Sequence, residues 1–361
     1  MRLIGATRGL VVLAALAALL AACTAPADPS PDDAGVQAIA LLLPESKTAR
    51  YESIDRPTFE AVVAERCPEC TVLYANAGQD AALQQQQAES ALTQGVGVLV
   101  LDAVDAAAAQ SIVTAAEARG VAVIAYDRFI SDVPLDYFVA YDSARVGMLQ
   151  GQALVRAIGD DIRPGDGVLL VHGSPTDPNA AGLKRGLSQA LEGSGLEILA
   201  EYDTPDWSPD KAQEWVQGQL TQYSDRVIGV YAANDGTAGG AISAMRAAGM
   251  DPVPPVTGQD AELAAIRRIV AGDQAMTVYK AISQQARTAA ELAVRVLRGE
   301  TPVATARVDG IPSLLLEPVA VSRDQVHNVI VRGGVFTVDE ICAEPYASAC
   351  RDLGLLEAEE E

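Results

Sequence analysis

Across 361 residues the chain carries 26 basic and 48 acidic side chains, a net charge of −22. Such a surface repels phosphate backbones and anionic headgroups, so no nucleic-acid partner is expected. The length suffices for two domains with substantial cores, and only two histidines are available for acid–base chemistry.

The chain opens with Arg2 and Arg8, followed by an unbroken apolar run from Leu10 to Ala22. A basic start, a short apolar core and small residues before a cut describe a secretory signal over residues 1–22, too short to span a bilayer comfortably. Leu20-Ala-Ala-Cys23 resembles the bacterial lipobox, which implies cleavage before Cys23 and acylation of its thiol. An ordinary signal with a chance cysteine is the alternative. Residues 23–35, polar and proline-rich, then form a lipidated tether, and the protein is expected outside the cytoplasm on the cell membrane.

From Val36 onward β-rich runs alternate with Ala-rich helical stretches. Strands are expected over 36–43, 71–75, 96–101, 121–127, 137–141, 167–172, 196–202, 227–233, 255–258 and 275–279. Helices are expected over 81–94, 106–119, 144–158, 211–223, 238–248, 262–271 and 283–298. Strands that are apolar throughout, separated by helices, argue for parallel sheets covered on both faces. The fold class is α/β, with two doubly wound lobes that exchange strands at a hinge. Cys67 with Cys70, and Cys342 with Cys350, read as two local disulfides in an exported protein. A redox motif or half a zinc site are the alternatives for the first pair. The closing acidic run reads as a solvated tail.

In open α/β sheets ligands bind beyond the carboxyl ends of the strands. Lys47, Arg50 and Tyr51 follow the first strand here, and Asp127 and Arg128 end the fourth. Asn179 follows the sixth, Asp206 and Trp207 the seventh, Asn234 and Asp235 the eighth, Gln259 and Asp260 the ninth, while Lys280 ends the tenth. Carboxylates, amides and cations bond vicinal hydroxyls in both directions, and Tyr51 and Trp207 offer flat faces to the C–H side of a sugar ring. Taken singly, Asp102, Asp142, Ser208, Asp235 and Asp260 also stand where helix caps stand.

The runs Ala125-Tyr-Asp-Arg128, Gly173-Ser-Pro-Thr-Asp-Pro-Asn-Ala180, Ala233 to Ile242, Gly258-Gln-Asp260 and Thr277-Val-Tyr-Lys280 resemble the D-xylose-binding and multiple-sugar-binding proteins of ABC importers. These belong to the type I periplasmic, ribose-binding-like, solute-binding family. The resemblance runs from about residue 36 to about residue 331. It implies two lobes joined by three crossovers: 36–139 with 281–301, and 140–280 with 302–340, leaving 341–361 as a disulfide-clipped tail. It also implies that a monosaccharide, xylose foremost, is held by Arg50, Tyr51, Asp127, Arg128, Asn179, Trp207, Asn234, Asp260 and Lys280. Asp235 and Gln259 stand behind them. Relatives usually carry Trp where this chain has Tyr51, which leaves the sugar's identity open.

The expected protein is a non-enzymatic monomer without cofactor or metal. It would present its sugar to the permease of an ABC importer. A sugar-sensing partner of a chemoreceptor or sensor kinase is the alternative. A sugar-active enzyme using paired carboxylates is a weaker one.

Overall fold

The computed structural model describes residues 37–160 and 162–357. The signal segment, Cys23 and the tether lie outside the described residues, as does the end of the acidic tail.

β1 (Ala38–Leu43) is apolar at every position because both its faces are covered. Ala38, Ala40 and Leu42 enter one core; Ile39, Leu41 and Leu43 enter another. A π-helical turn over Tyr51–Asp55 leads into α1 (Arg56–Arg66), then β2 (Thr71–Asn76), α2 (Ala81–Thr93), β3 (Val98–Leu101), α3 (Gln110–Glu117), β4 (Ala122–Tyr126) and β5 (Tyr137–Tyr141). These five strands run parallel in the order β2-β1-β3-β4-β5. The order reverses between β1 and β3, which opens a crevice at their carboxyl ends.

The chain then crosses into a second lobe: α4 (Ser143–Ile158), β6 (Gly167–His172), α5 (Pro178–Leu191), β7 (Glu197–Asp203), α6 (Pro209–Tyr223), β8 (Val227–Ala232), α7 (Asp235–Ala247), α8 (Leu263–Ala271) and β9 (Met276–Tyr279). β7-β6-β8 repeats the same reversal. It returns through α9 (Ile282–Leu297), β10 (Ala306–Val308) and β11 (Ile311–Leu316), and finally leaves again as β12 (Val319–Ser322), antiparallel to β9. The three crossovers therefore fall at 141–143, 279–282 and 316–319.

Three expectations are corrected. Residues 302–316 do not belong to the second lobe, because β11 pairs in parallel with β5 and carries β10 as an antiparallel edge. Pro312 within the run Ile311–Leu316 hides its strand character, and is tolerated opposite the edge strand. Residues 255–258 form no strand but a single bridge, Val256 to Val230, with a second just beyond it, Gln259 to Val278. The segment expected as a disulfide-clipped acidic tail from 341 is packed against the second lobe. α10 (Val338–Ile341) and α11 (Ala347–Asp352) bury Ile341, Cys342 and Cys350 against Ile266, Ile269 and Val270 of α8.

Cys67 is bonded to Cys70, Cα atoms 5.2 Å apart, in the loop between α1 and β2. Cys342 is bonded to Cys350 at 5.8 Å. Glu69 brings a third potential metal ligand beside the first pair, but those two sulfurs are joined to each other. Among the described residues no helix is long and apolar enough to cross a membrane.

Candidate binding site

A small polar cavity of about 30 Å³ lies between the lobes at the carboxyl ends of their strands. All nine residues expected to hold the ligand line it: Arg50, Tyr51, Asp127, Arg128, Asn179, Trp207, Asn234, Asp260 and Lys280. Gln259 lines it as well, so it stands nearer than expected. Thr48 and Asp177 complete the wall.

Arg50 directs the N–H edges of its guanidinium at acceptors on both sides. Nε and Nη2 donate to the two oxygens of Asp55 at 2.9 Å each, Nη2 also to Gln285 at 3.2 Å, and Nη1 to Asp127 Oδ2 at 2.7 Å. Gln285 in turn donates to Asp127 at 3.1 Å, and Tyr126 donates to Asp55. Burial alone would push the Asp127 carboxyl up, but Arg50 and Lys280 hold it well below the usual carboxylate range. Burial would lower the Arg50 guanidinium, which Asp55 and Asp127 raise instead.

Arg128 lies between two carboxylates. Its Nε is 2.9 Å from Asp177 Oδ2 in the second lobe and 3.3 Å from Asp102 Oδ1 in its own. Neither approach has hydrogen-bond geometry, so these are charge contacts. Nη1 donates to the Ala103 carbonyl at 2.8 Å. In the second lobe Lys280 Nζ stands 2.9 Å from Asp260 Oδ1. Each of the three cations that line the cavity, Arg50, Arg128 and Lys280, thus meets one lining carboxylate, and the wall is close to electroneutral.

The lobes also meet directly. Asn179 Nδ2 donates to Asp127 Oδ1 at 2.7 Å, Thr176 Oγ1 to the Val104 carbonyl at 3.2 Å, and the Ala106 amide to the Thr176 carbonyl at 3.3 Å. On the rim Lys47 faces Asp206 at 3.7 Å. This is a closed arrangement.

Local backbone supports it. Asn234 caps α7 through a capping box with Thr237, and Asp177 caps α5, accepting from the Asn179 amide at 2.8 Å. Of the residues read as possible caps, Asp142 and Ser208 are caps, whereas Asp102, Asp235 and Asp260 are not. Asp127, Asp206, Trp207, Asp260 and Ala261 all have positive φ, a strain that persists where surrounding structure holds it. Trp207 lies flat on Gly173, where a Cβ would overlap its ring, and donates to Asp177 Oδ2 at 3.1 Å.

Asp235 does not reach the cavity. It is fully buried behind Asn234, accepting from Gln274 at 2.8 Å, Thr277 at 2.9 Å and the Glu262 amide at 3.0 Å. Burial pushes its carboxyl up to about 7, and burial with Asp235 and Asp260 nearby pushes Glu262 up to about 8. His172 packs on Tyr231 with Nε2 3.1 Å from Glu201, away from the cavity.

Sequence reasoning missed Thr48, Asp55, Asp102 as a partner of Arg128, Asp177 and Gln285. Asp177-Pro178 after a strand is a helix-start signature that marks a strand-end polar residue. Gln285 is a buried polar residue on the apolar stripe of Ile282, Ala286, Ala289 and Ala293, an anomaly visible in the sequence.

Two doubly wound lobes, joined by three crossovers and closed over a polar cavity, define the type I periplasmic binding protein fold. The sequence profile of the periplasmic binding protein domain matches residues 39–301, and the chain belongs to that family. It is 35% identical over 266 residues to the D-xylose-binding periplasmic protein of Escherichia coli, covering 72% of this chain and 79% of that one. It is 31% identical over 284 residues to the multiple sugar-binding periplasmic receptor ChvE of Rhizobium radiobacter, covering 72% and 80%. An ABC transporter solute-binding protein from Clostridium phytofermentans, solved with bound β-D-glucose, matches the fold with a TM-score of 0.77 at 25% identity, covering 84% of this chain and all of that one.

Proposed function

We propose that this protein is a lipid-anchored, extracytoplasmic solute-binding protein that captures a monosaccharide, xylose foremost, and delivers it to an ABC importer. The observation that carries this reading is the matched wall: three cations and three carboxylates, paired around a small closed cavity. A charged ligand would leave one member of a pair unbalanced in a low-dielectric site. An uncharged polyol presents hydroxyls that both donate and accept, which such pairs satisfy without net charge. Tyr51 and Trp207 add ring faces for the apolar side of a pyranose. The name of the E. coli relative favours D-xylose.

In this reading sugar bridges the lobes and shifts an open ensemble to the closed form, which the permease recognises across both rims. Acylation of Cys23 holds the monomer at the membrane, and both cysteine pairs are oxidised there. Arg50, Asp127 and Arg128 hold one side of the ring; Asn179, Asn234, Asp260 and Lys280 hold the other. The protein turns nothing over. Calorimetric titration of protein stripped of carried-over sugar, against pentoses and hexoses, tests this. One-to-one binding of one or a few monosaccharides supports it; silence across the panel from folded protein refutes it.

A further inference from the structure

Resting on the hinged sugar-binding reading, we infer that Asp102 is a positioning residue that holds Arg128 while the lobes are apart, gives it up to Asp177 on closure, and takes up a proton as it does so. Asp102 follows β3 in the first lobe and is wholly buried, with no exposure to the cavity. Neither of its carboxyl oxygens has a hydrogen-bond donor. Its one close charge partner is Arg128, at 3.3 Å, and Arg128 stands nearer still to Asp177 of the opposite lobe, at 2.9 Å.

The asymmetry between the two carboxylates decides which one yields. Burial pushes the Asp177 carboxyl up as well, but it accepts from the Asn179 amide and the Trp207 indole, both of which favour its charged form. Asp102 has only the shared guanidinium. When the lobes part, Asp177 leaves with the second lobe, and Asp102 remains as the neighbour that neutralises Arg128. When they close, Asp177 draws on that guanidinium and brings a like charge close to Asp102.

The charged groups facing Asp102 are Arg128 and Asp127 after β4, Arg50 before the π-helical turn, and Asp177 before α5. Tyr51 faces it too, and Gln84 of α2 engages its backbone carbonyl. In this closed arrangement burial pushes the Asp102 carboxyl well above its ordinary value, and Arg128 offsets only part of that. The proton needs no further reactant: it comes from solvent as the carboxylate becomes a carboxylic acid.

The sign follows from linkage. A group whose proton affinity rises on closure favours the closed, sugar-bound form at low pH. That advantage is lost as pH rises through the window between its two values. For one proton, the sugar Kd rises by up to about tenfold per pH unit there.

The test is calorimetric titration of the whole protein with xylose, or with whichever panel sugar binds, in buffers of different ionisation enthalpy from about pH 5 to about pH 8. Wild-type protein is expected to show heats that report proton uptake approaching one per sugar. Asp102→Asn, checked by thermal unfolding, is expected to bind with buffer-independent heats. Glu262→Gln, which removes another raised carboxyl near the cleft, is expected to keep the uptake. Wild-type heats that do not change with buffer anywhere in that range overturn the assignment, even if the Asn variant does not fold. Uptake that survives in Asp102→Asn also overturns it, whether or not Glu262→Gln removes it. No heat with any sugar overturns the sugar-binding reading itself, whereas sugar heat without buffer dependence overturns this assignment alone.

Discussion

Asp177→Asn separates binding from folding more cleanly than any other single change. The native carboxylate faces Arg128 across the cleft at 2.9 Å, accepts from Trp207 at 3.1 Å and caps α5 through the Asn179 amide at 2.8 Å. An asparagine keeps the shape, and its one oxygen keeps the cap on Oδ1. The amide nitrogen then faces two donors, the Arg128 Nε and the Trp207 indole. A lost charge-assisted contact of this kind costs roughly 1.5–3 kcal/mol, or a Kd weakened roughly 10- to 150-fold. Because the Arg128 contact spans the lobes, its loss belongs to the closed form and appears in affinity. The thermal midpoint without sugar should fall only by what the Trp207 bond within the second lobe contributes, since the cap survives. Asp177→Ala removes the cap as well and should lose about a further 1 kcal/mol of stability. Calorimetric titration and sugar-free thermal unfolding read the two effects apart. A folded Asp177→Asn protein that binds sugar within about twofold of wild type would refute the reasoning, because the Arg128 contact would then contribute nothing to closure.

Gly173→Ala should displace Trp207 from the cavity wall, weakening sugar binding by at least about tenfold and abolishing any change in indole fluorescence on titration. An unchanged Kd would mean that Trp207 does not touch the sugar. Reducing Cys342–Cys350 opens a loop with a sequence separation of 8, for which chain entropy gives about 2.5 kcal/mol, and this should lower the thermal midpoint. The loss should appear in thermal scans with and without reductant, and in Cys342→Ser with Cys350→Ser. Asp235 is raised in the folded protein from 3.8 to about 7, so the fold binds its proton more tightly than the unfolded chain does. Its contribution is complete below the unfolded value and is lost as pH rises through the folded one. Unfolding measured from about pH 4 to about pH 8 should show that decline, and Asp235→Asn should flatten it.

The strand ends were legible because a residue at the carboxyl end of a buried parallel strand is polar against the trend of the strand itself. Tyr126 is buried and Asp127 follows it; Ala233 is buried and Asn234 follows it. That contrast carries Asp127 and Asn234 directly, whereas Arg50, Tyr51, Asn179 and Trp207 stand several residues beyond their strands. β11 was hidden by Pro312, and the helical character beyond residue 340 by its acidic, proline-containing sequence. Which charge meets which was not legible, because pairing is decided across lobes and not along the chain. Asp55 is five residues from Arg50, and it reaches that side chain because a π-helical turn, with its i→i+5 repeat, brings the two positions onto one face. Gln285 reaches the same guanidinium from 235 positions away. Asp102 is the sharper case: in sequence it is one more carboxylate after one more strand, where a helix cap is the ordinary expectation. Its significance appears only when β3 and β4 are neighbours in the sheet and the second lobe brings Asp177 to the far side of Arg128. A carboxylate that shares its cation with a moving partner is physically unlike one that caps a helix. The first changes its environment each time the lobes close, and the second does not.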